Sequence, residues 1–418
     1  MRLRNLIILI VIVFIETGCK VNEPPISIEP EVQHEGPTLL WQMPLRSDTL
    51  VSYTIHPLLY QDRVIVTAEP VYFELDATIK MVDTAGAIIW DSEVIGTVCE
   101  DFNYLASTQS FIHDGIMVYG CNGRASAINA FSGYILWEYP DDLGATNAFS
   151  RLNDKVFYPS AKGVTIFPFD SALLYLGDIA SGFRREIFRV GVEDDFSPRL
   201  YPPAVHVNND GDTLLYFQNR QWNFVNPGLG GRVDLYCYNM TADSVVWKIP
   251  QIDPYGNSSV CLPLYHEGKI YFRGFLTLFC LDATNGEIIW THEFPGDFDD
   301  ILQGNMIIVE DMLVLKSSTE GIHAFNLQTG DLFWERYDAG VTSCYMTYYE
   351  GAVYYGSYDG KIFKVRVSDG EIMWTYTSPN AGVAPTWDAV FYNSVTIDPI
   401  LRRMYACDAY YLLCLQLP

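Results

Sequence analysis

The sequence predicts an all-β chain: an eight-bladed β-propeller of four-stranded antiparallel blades, its ring closed by an N-terminal strand pairing with the C-terminal blade. Three observations predict it. A frame of small residue, Asp or Asn, glycine turn and tryptophan recurs along the chain. An independent series of polar turn pairs, interleaved with the tryptophans, gives the same count of eight. The first unit supplies only the end of a frame and the last only its beginning, as ring closure requires. Repeats of about 40–60 residues that each hold four short strands are the signature of this architecture.

The frame is clearest from Cys280 through Asp282 and Gly286 to Trp290. Asp282 and Asn285 suit a tight turn because their short side chains bond to nearby backbone, and Gly286 accepts a positive φ without a Cβ clash. Ile288-Ile289-Trp290 then has the branched and aromatic character of a half-buried strand. The frame recurs from Ala127 to Trp137 and from Ala324 to Trp334, and more loosely at Gly86 to Trp90 and Gly370 to Trp374. From Cys237 to Trp247, Asp243 stands where the glycine should be. Cys414-Leu415-Gln416 begins a copy that Leu39-Leu40-Trp41 completes, and a degenerate copy follows Gly182, with Phe188 in place of the tryptophan. A four-stranded unit cannot bury both faces alone, so Trp41, Trp90, Trp137, Trp247, Trp290, Trp334 and Trp374 are expected to wedge between blades.

The second series runs Gln61-Asp62, Asp114-Gly115, Asn153-Asp154, Asp210-Gly211, Glu267-Gly268, Glu310-Asp311, Glu350-Gly351 and Asp398-Pro399. Each leads into an apolar run, so each unit reads strand A, turn, strand B, loop, strand C, glycine turn, strand D. Lys80 and Lys364 fall at the small-residue position of this frame and are misfits there.

Residues 1–19 read as a targeting segment. Arg2 and Arg4 precede the apolar run Leu6 to Ile15, which is too short to span a bilayer, and the segment ends at Cys19. Glu16-Thr17-Gly18-Cys19 resembles a bacterial lipobox, with Glu16 in place of the usual leucine, so Cys19 is the expected lipidation site; an ordinary secretory signal is the alternative. Residues 20–36, rich in Pro and Glu without periodicity, read as a flexible tether. Residues 37–418 form the propeller. The reading places the chain in the bacterial cell envelope as an outer-membrane lipoprotein, facing the periplasm or the cell surface, with a monomeric ring held to the membrane by its lipid alone.

A formal charge of −25, from 51 acidic and 26 basic residues, argues against nucleic acid or an anionic membrane surface as partner. Cys237, Cys280 and Cys414 occupy the small position of the frame and read as buried apolar groups. Cys99 and Cys121 lie outside it and are the pair best placed for a disulfide. The seven histidines are scattered and form no metal-ligand spacing. Asp297, Asp299 and Asp300 suit either a calcium ion or a solvated acidic loop. No nucleophile, phosphate-loop or catalytic triad signature occurs, and no catalytic residue or cofactor is expected.

In a meander of this kind the A–B and C–D turns emerge at one end and the B–C and D–A loops at the other. The long-loop end is acidic: Asp141, Asp142, Asp194 and Asp195 all fall in D–A segments. Trp222 and Phe224, read as a B–C insertion, and Trp387, in a D–A segment, are expected at the same end. Aromatic groups among loops on a rigid scaffold suit a binding face.

The frame Ala/Cys-x-Asp/Asn-x-x-x-Gly-x-x-x-Trp resembles the repeat of propellers related to pyrroloquinoline quinone (PQQ) dehydrogenases. The resemblance covers nearly the whole chain after the tether and implies the fold. The dehydrogenases are longer, carry adjacent bridged cysteines beside the quinone and hold calcium through acidic and amide side chains. This sequence has no adjacent cysteines, so no cofactor residue carries over. In length, anchor and blade number it is similar to the propeller lipoprotein of the outer-membrane β-barrel assembly machinery. The expected function is a non-catalytic, membrane-tethered scaffold binding a protein or glycan through the acidic, aromatic face. The alternatives are an accessory of barrel assembly and, behind it, a PQQ-dependent or hydrolytic enzyme.

Overall fold

The computed structural model describes residues 35–46, 52–53, 56–70, 78–92, 110–121, 124–139, 149–162, 169–226, 230–253, 262–294, 304–317, 321–340, 345–382, 390–391 and 393–418. These form eight antiparallel sheets, each a meander of four strands, with one extra short strand in two of them. The fifth blade shows the pattern: Leu264–His266, Lys269–Arg273, Thr277–Asp282 and Ile288–Glu293. Blades one to seven follow in chain order. The eighth joins Thr396–Asp398, Arg403–Cys407 and Tyr411–Gln416 to Thr38–Pro44 from the other end of the chain. Trp41 is the register partner of Cys414, so the split frame is completed across the closure. A paired closure leaves neither terminal strand as a bare sheet edge.

Eight apolar clusters hold the ring, one between each pair of consecutive blades. Ile65, Ile79 and Met81 of the first blade meet Met117, Tyr119 and Ile128 of the second. At the closure, Met43, Tyr405 and Leu412 of the eighth meet Val64, Val66 and Val82 of the first. The A–B hairpins are tight. The first turn residue at Gln61, Asp114, Asn153, Glu267, Glu310 and Glu350 has a φ between 45 and 58°, the left-handed conformation that suits two-residue hairpins between twisted strands. The fourth and the last A–B turns are longer, because Val207 pairs with Thr213 and Asp398 with Arg403; the Asp398 carboxylate accepts from the Ile400 and Leu401 amides at 2.8 and 3.1 Å.

The tryptophans wedge as expected, and the mechanism is specific. Each indole of the regular frame lies on the C–D glycine of the next blade, and most donate Nε1–H to a carbonyl of that same turn. Trp41 donates to Thr84, Trp137 to Ile179, Trp247 to Ala283, Trp290 to Leu327 and Trp334 to Val367, at 2.8 to 3.2 Å. A Cβ on Gly330 would lie 2.6 Å from the Trp290 ring, and Gly330 itself has a φ of +75°. Trp374 faces the eighth blade, whose outer strand comes from the N-terminal part of the chain and so lacks a C–D turn. Its Nε1 has no hydrogen-bond partner among the described residues. Phe188 does take the tryptophan place in the third blade, packing edge-on against Phe217, Tyr236 and Tyr238 of the fourth at 5.0 to 5.5 Å. Asp243, standing for a glycine, adopts the left-handed conformation at φ 51°.

Two further expectations are refined. Lys80 is not at the small position: the turn after Asp83 is one residue shorter than its counterparts, so Met81 pairs with Trp90 and Lys80 with Asp91. Lys80 forms an ion pair with the Asp91 carboxylate. Lys364 does sit opposite Trp374. Its ammonium lies 5.4 Å from the Tyr354 ring, and burial lowers its pKa. Cys237, Cys280 and Cys414 are free, buried thiols; burial pushes Cys237 up to about 12 and the other two up to about 11. Cys99 lies outside the described residues, as do residues 1–34 with Cys19.

Candidate functional site at the fourth blade

The fourth blade departs from the repeat. Its second strand, Thr213–Asn223, has eleven residues. The first part, Leu214-Leu215-Tyr216-Phe217, is an ordinary apolar strand and pairs with Ala204–Val207. The second part, Gln218-Asn219-Arg220-Gln221-Trp222-Asn223, is polar and pairs with an additional strand, Phe196–Leu200. Trp222 therefore stands on a strand, not in a loop insertion as its Asn- and Gly-rich surroundings suggested. A tight turn from Glu193 to Phe196 feeds the added strand, with Asp194 and Asp195 both left-handed at φ 52 and 65°. Aspartate tolerates that conformation better than most residues.

Side chains alternate across a strand, so register decides which of them meet. Ser197 is opposite Trp222, and Arg199 is opposite Arg220. These four share one face and, with Phe169 and Pro198, line a cavity of about 280 Å³. Ser197 Oγ accepts from the Phe169 amide at 2.8 Å and donates to the Phe169 carbonyl at 3.1 Å, fastening the added strand to the third blade.

On the opposite face, Gln221 Nε2 donates to the buried Asp234 carboxylate at 2.8 Å, and Arg232 Nε donates to Gln221 Oε1 at 2.9 Å. Lys248 Nζ lies 2.9 Å from the same Asp234 carboxylate. Arg232 also stacks its guanidinium 4.5 Å from the Phe196 ring centre and reaches Glu193 at 3.2 Å and Asp194 at 4.0 Å. The strand that presents Trp222 is thus held by hydrogen bonds and charge pairs on the side turned away from the cavity.

Four of the seven residues expected on the binding face come together here. The Phe224 amide donates to the Asp195 carbonyl at 3.2 Å, joining Trp222 and Phe224 to the turn of Asp194 and Asp195. Asp141, Asp142 and Trp387 lie outside the described residues, as do Asp297, Asp299 and Asp300. Sequence reasoning missed Arg199 and Arg220. The face is acidic at its rim, while the cavity beside Trp222 is lined by two cations. The one available signal was the switch from apolar to polar residues midway along the run Leu214 to Asn223.

A second cavity, of about 440 Å³, opens where the first strands of five blades converge. His56, Ser110 and Arg151 line it together with Thr347, Ser394 and Thr396. The last three staple neighbouring blades: Thr347 donates to Val395 O at 2.5 Å, Ser394 to Tyr345 O at 2.6 Å, and Thr396 to Pro57 O. The described lining holds no carboxylate, and among the described residues no three of His, Cys, Asp and Glu converge. With no adjacent cysteines in the sequence, these residues do not fit the calcium–quinone cradle of the dehydrogenases.

The fold is an eight-bladed propeller whose blades repeat a tryptophan-on-glycine contact. Residues 231–416, less than half of the chain, match the family described as outer membrane protein assembly factor BamB. Among solved structures, BamB from Moraxella catarrhalis is similar over 91% of this chain and 100% of its own, with a TM-score of 0.55 and 15% identity. A europium-containing methanol dehydrogenase is similar over 91% and 93%, with a TM-score of 0.60 and 10% identity. The computationally designed Ika8 protein is similar over 91% and 100%, with a TM-score of 0.62 and 11% identity. At such identities the likeness is one of fold. No curated protein matches the chain.

Proposed function

We propose that the chain is a non-catalytic scaffold of the bacterial envelope that captures another protein on the long-loop face of its fourth blade. The observation that carries the reading is the added strand, which departs from the repeat only to hold Trp222, Phe224 and a charged rim in one place. A ring closed by eight apolar interfaces presents such a site without rearrangement, which limits the ordering cost of binding. The lipid anchor at Cys19, the outer-membrane location and a monomeric ring belong to the same proposal, and so does calcium at Asp297, Asp299 and Asp300. A glycan could meet the same aromatic surface. No quinone takes part in this reading.

The test is crosslinking capture from intact envelope. Trp222→Ala, alone and combined with Trp387→Ala, is expected to abolish capture of the native partner while the ring stays folded. Capture is also expected to weaken with salt, since exposed charges are screened within about 10 Å at 0.1 M ionic strength. Capture that survives the double substitution would refute the assignment of this face. A narrower reading, an accessory of β-barrel assembly, is favoured by the family match over residues 231–416. Co-purification with an outer-membrane assembly factor is its test, and consistent absence of any such factor from the captured material would reject it.

A further inference from the structure

We infer that the short-turn end of the eighth blade meets a lipid layer, with Ile400 and Leu401 entering it beside the point where the chain joins the ring. The inference rests on the anchored-scaffold reading and adds a second membrane contact to its lipid. Seven of the eight A–B turns carry polar tips, whereas the last reads Pro399-Ile400-Leu401-Arg402. Ile400 is 89% exposed and Leu401 38%. A long turn does not itself require apolar residues. The fourth A–B turn uses the same device, its Asn208 side-chain oxygen accepting from the Asp210 and Asp212 amides at 3.0 and 2.8 Å, yet its tip is Asn209-Asp210. The last turn is also firmly fastened. Besides the Asp398 cap, Gln416 Nε2 and the Leu417 amide each donate to the Arg402 carbonyl at 2.9 Å, and Arg402 Nη2 donates to the Pro418 carbonyl at 2.6 Å. Ile400 is thus held outward by an ordered backbone.

Strand register decides what covers this tip. Thr38 pairs with Gln416, and Gln416 with Arg403. The chain therefore enters the ring at the same end of the same blade as the exposed turn. Residues 20–37 separate Cys19 from Thr38, a span of at most about 60–65 Å when fully extended. A chain anchored at Cys19 keeps the turn near lipid at an effective concentration of about millimolar order, where a small apolar contact is populated. The neighbouring half of the ring agrees. The residue after the C–D glycine is Tyr134 in the second blade and Phe183 in the third, 76% and 69% exposed. The fifth and seventh blades have Glu287 and Glu371 there. Apolar groups gathered on one side of a surface mark a contact, and tyrosine suits the level of lipid headgroups. The charge of −25 opposes attraction to anionic lipid, so the contact is apolar and favours a zwitterionic layer. The fourth blade stands across the ring from the eighth, and Trp222 lies at the end of its strand away from the A–B turn. A ring resting on the last turn leaves that recognition face clear of the membrane.

The test uses the full chain, reconstituted into phosphatidylcholine vesicles that carry a photoactivatable diazirine on an acyl chain. After irradiation, peptide mass spectrometry is expected to find label on residues 399–402 at least tenfold above that on the Glu267-Gly268 turn. Ile400→Ser combined with Leu401→Ser is expected to remove it. Should melting curves show the double variant unfolded, Ile400→Ser alone, at the more exposed position, gives the same reading. Vesicles rich in phosphatidylglycerol are expected to lower the label. Equal labelling of the two turns would overturn the inference, and so would label that persists unchanged in the serine variants. The mass of the peptide containing Cys19 reads the anchor separately. An acylated Cys19 with an unlabelled turn refutes the contact while the anchor stands. A labelled turn with an unacylated Cys19 refutes the anchor while the contact stands. Envelope capture through Trp222 is expected to survive the serine substitutions. Loss of capture in those variants, with no label on the turn of the unaltered chain, would make the turn a protein contact and overturn the inference.

Discussion

The fourth and fifth blades lie side by side and solve the same packing problem differently. The fifth follows the repeat at every turn, and Trp290 locks it to the glycine and a carbonyl of the sixth. The fourth receives Phe188 in place of a tryptophan, makes its C–D turn with Asp243 and extends its second strand to eleven residues. The blade whose lock is replaced by an edge-to-face aromatic cluster is also the one with an added strand and a polar end. The regular blades secure the ring, and among the described residues the irregular one carries the added strand and the cavity beside Trp222.

The strongest challenge to this division is to open the ring. Deleting residues 37–43 removes the strand that completes the eighth blade, together with Trp41 and its bond to Thr84. The melting temperature is expected to fall further than for any single substitution below. An unchanged melting curve would mean that the closure contributes nothing, and calorimetry or circular dichroism decides it.

Next come the locks. Trp290→Ala and Trp334→Ala are each expected to cost about 3–5 kcal/mol, the range for deleting a large packed aromatic. Glycine substitutions separate contact from backbone strain. Gly268 has a φ of +78° and nothing within 4 Å of an added Cβ, whereas at Gly330 the Trp290 ring stands in the way. Gly268→Ala should cost about 1–2 kcal/mol, from the left-handed conformation alone, and Gly330→Ala distinctly more. Equal losses in denaturant titrations would show that the indole does not press on the glycine.

The sequence showed most of this architecture because the repeat is local: a turn residue, a glycine and a tryptophan within one short frame report the same contact six times. It misplaced Lys80 because one residue is missing from a single turn, and a shift of one position moves a side chain to the other face of the strand. It read Trp222 as part of a loop because the backbone partners of residues 219–223 lie in a separate strand, Phe196–Leu200, with no local signal for the pairing. The Arg199–Arg220 pair was hidden for the same reason. Long-range register is the information that a repeat frame lacks where the repeat breaks.

A pH titration tests the interface of the fifth and sixth blades. His323 is 2% exposed, and burial, followed by the nearby cations Arg273 and Lys316 and by His292, lowers its pKa from 6.5 to about 4. Its nearest carboxylate, Glu335, is 3.9 Å away. The folded state thus resists protonation that the unfolded chain accepts below pH 6.5. This contribution to stability is complete above pH 6.5 and is lost as the pH falls towards 4. At about 1.4 kcal/mol per pKa unit, the loss approaches about 3 kcal/mol. His323→Phe is expected to flatten the stability profile between pH 6.5 and 4 relative to the unaltered chain. A slope that persists in the variant would assign the effect to carboxylates elsewhere.

The smallest expected effect on stability is the most informative about function. Trp222 lies beyond the part of the fourth blade that packs in the apolar interfaces, and its face opens on the cavity rather than on a neighbouring glycine turn. Trp222→Ala should therefore cost under about 1 kcal/mol, as changes outside a packed core do, while the strand beneath it stays held by Gln221, Asp234 and Arg232 on the opposite face. Thermal melts beside Trp290→Ala make the contrast direct. A loss comparable to that of Trp290 would make Trp222 a ninth structural wedge and move the search for a binding face to another blade. A near-silent melt with loss of envelope capture would place the scaffold in the regular blades and the recognition in the irregular one.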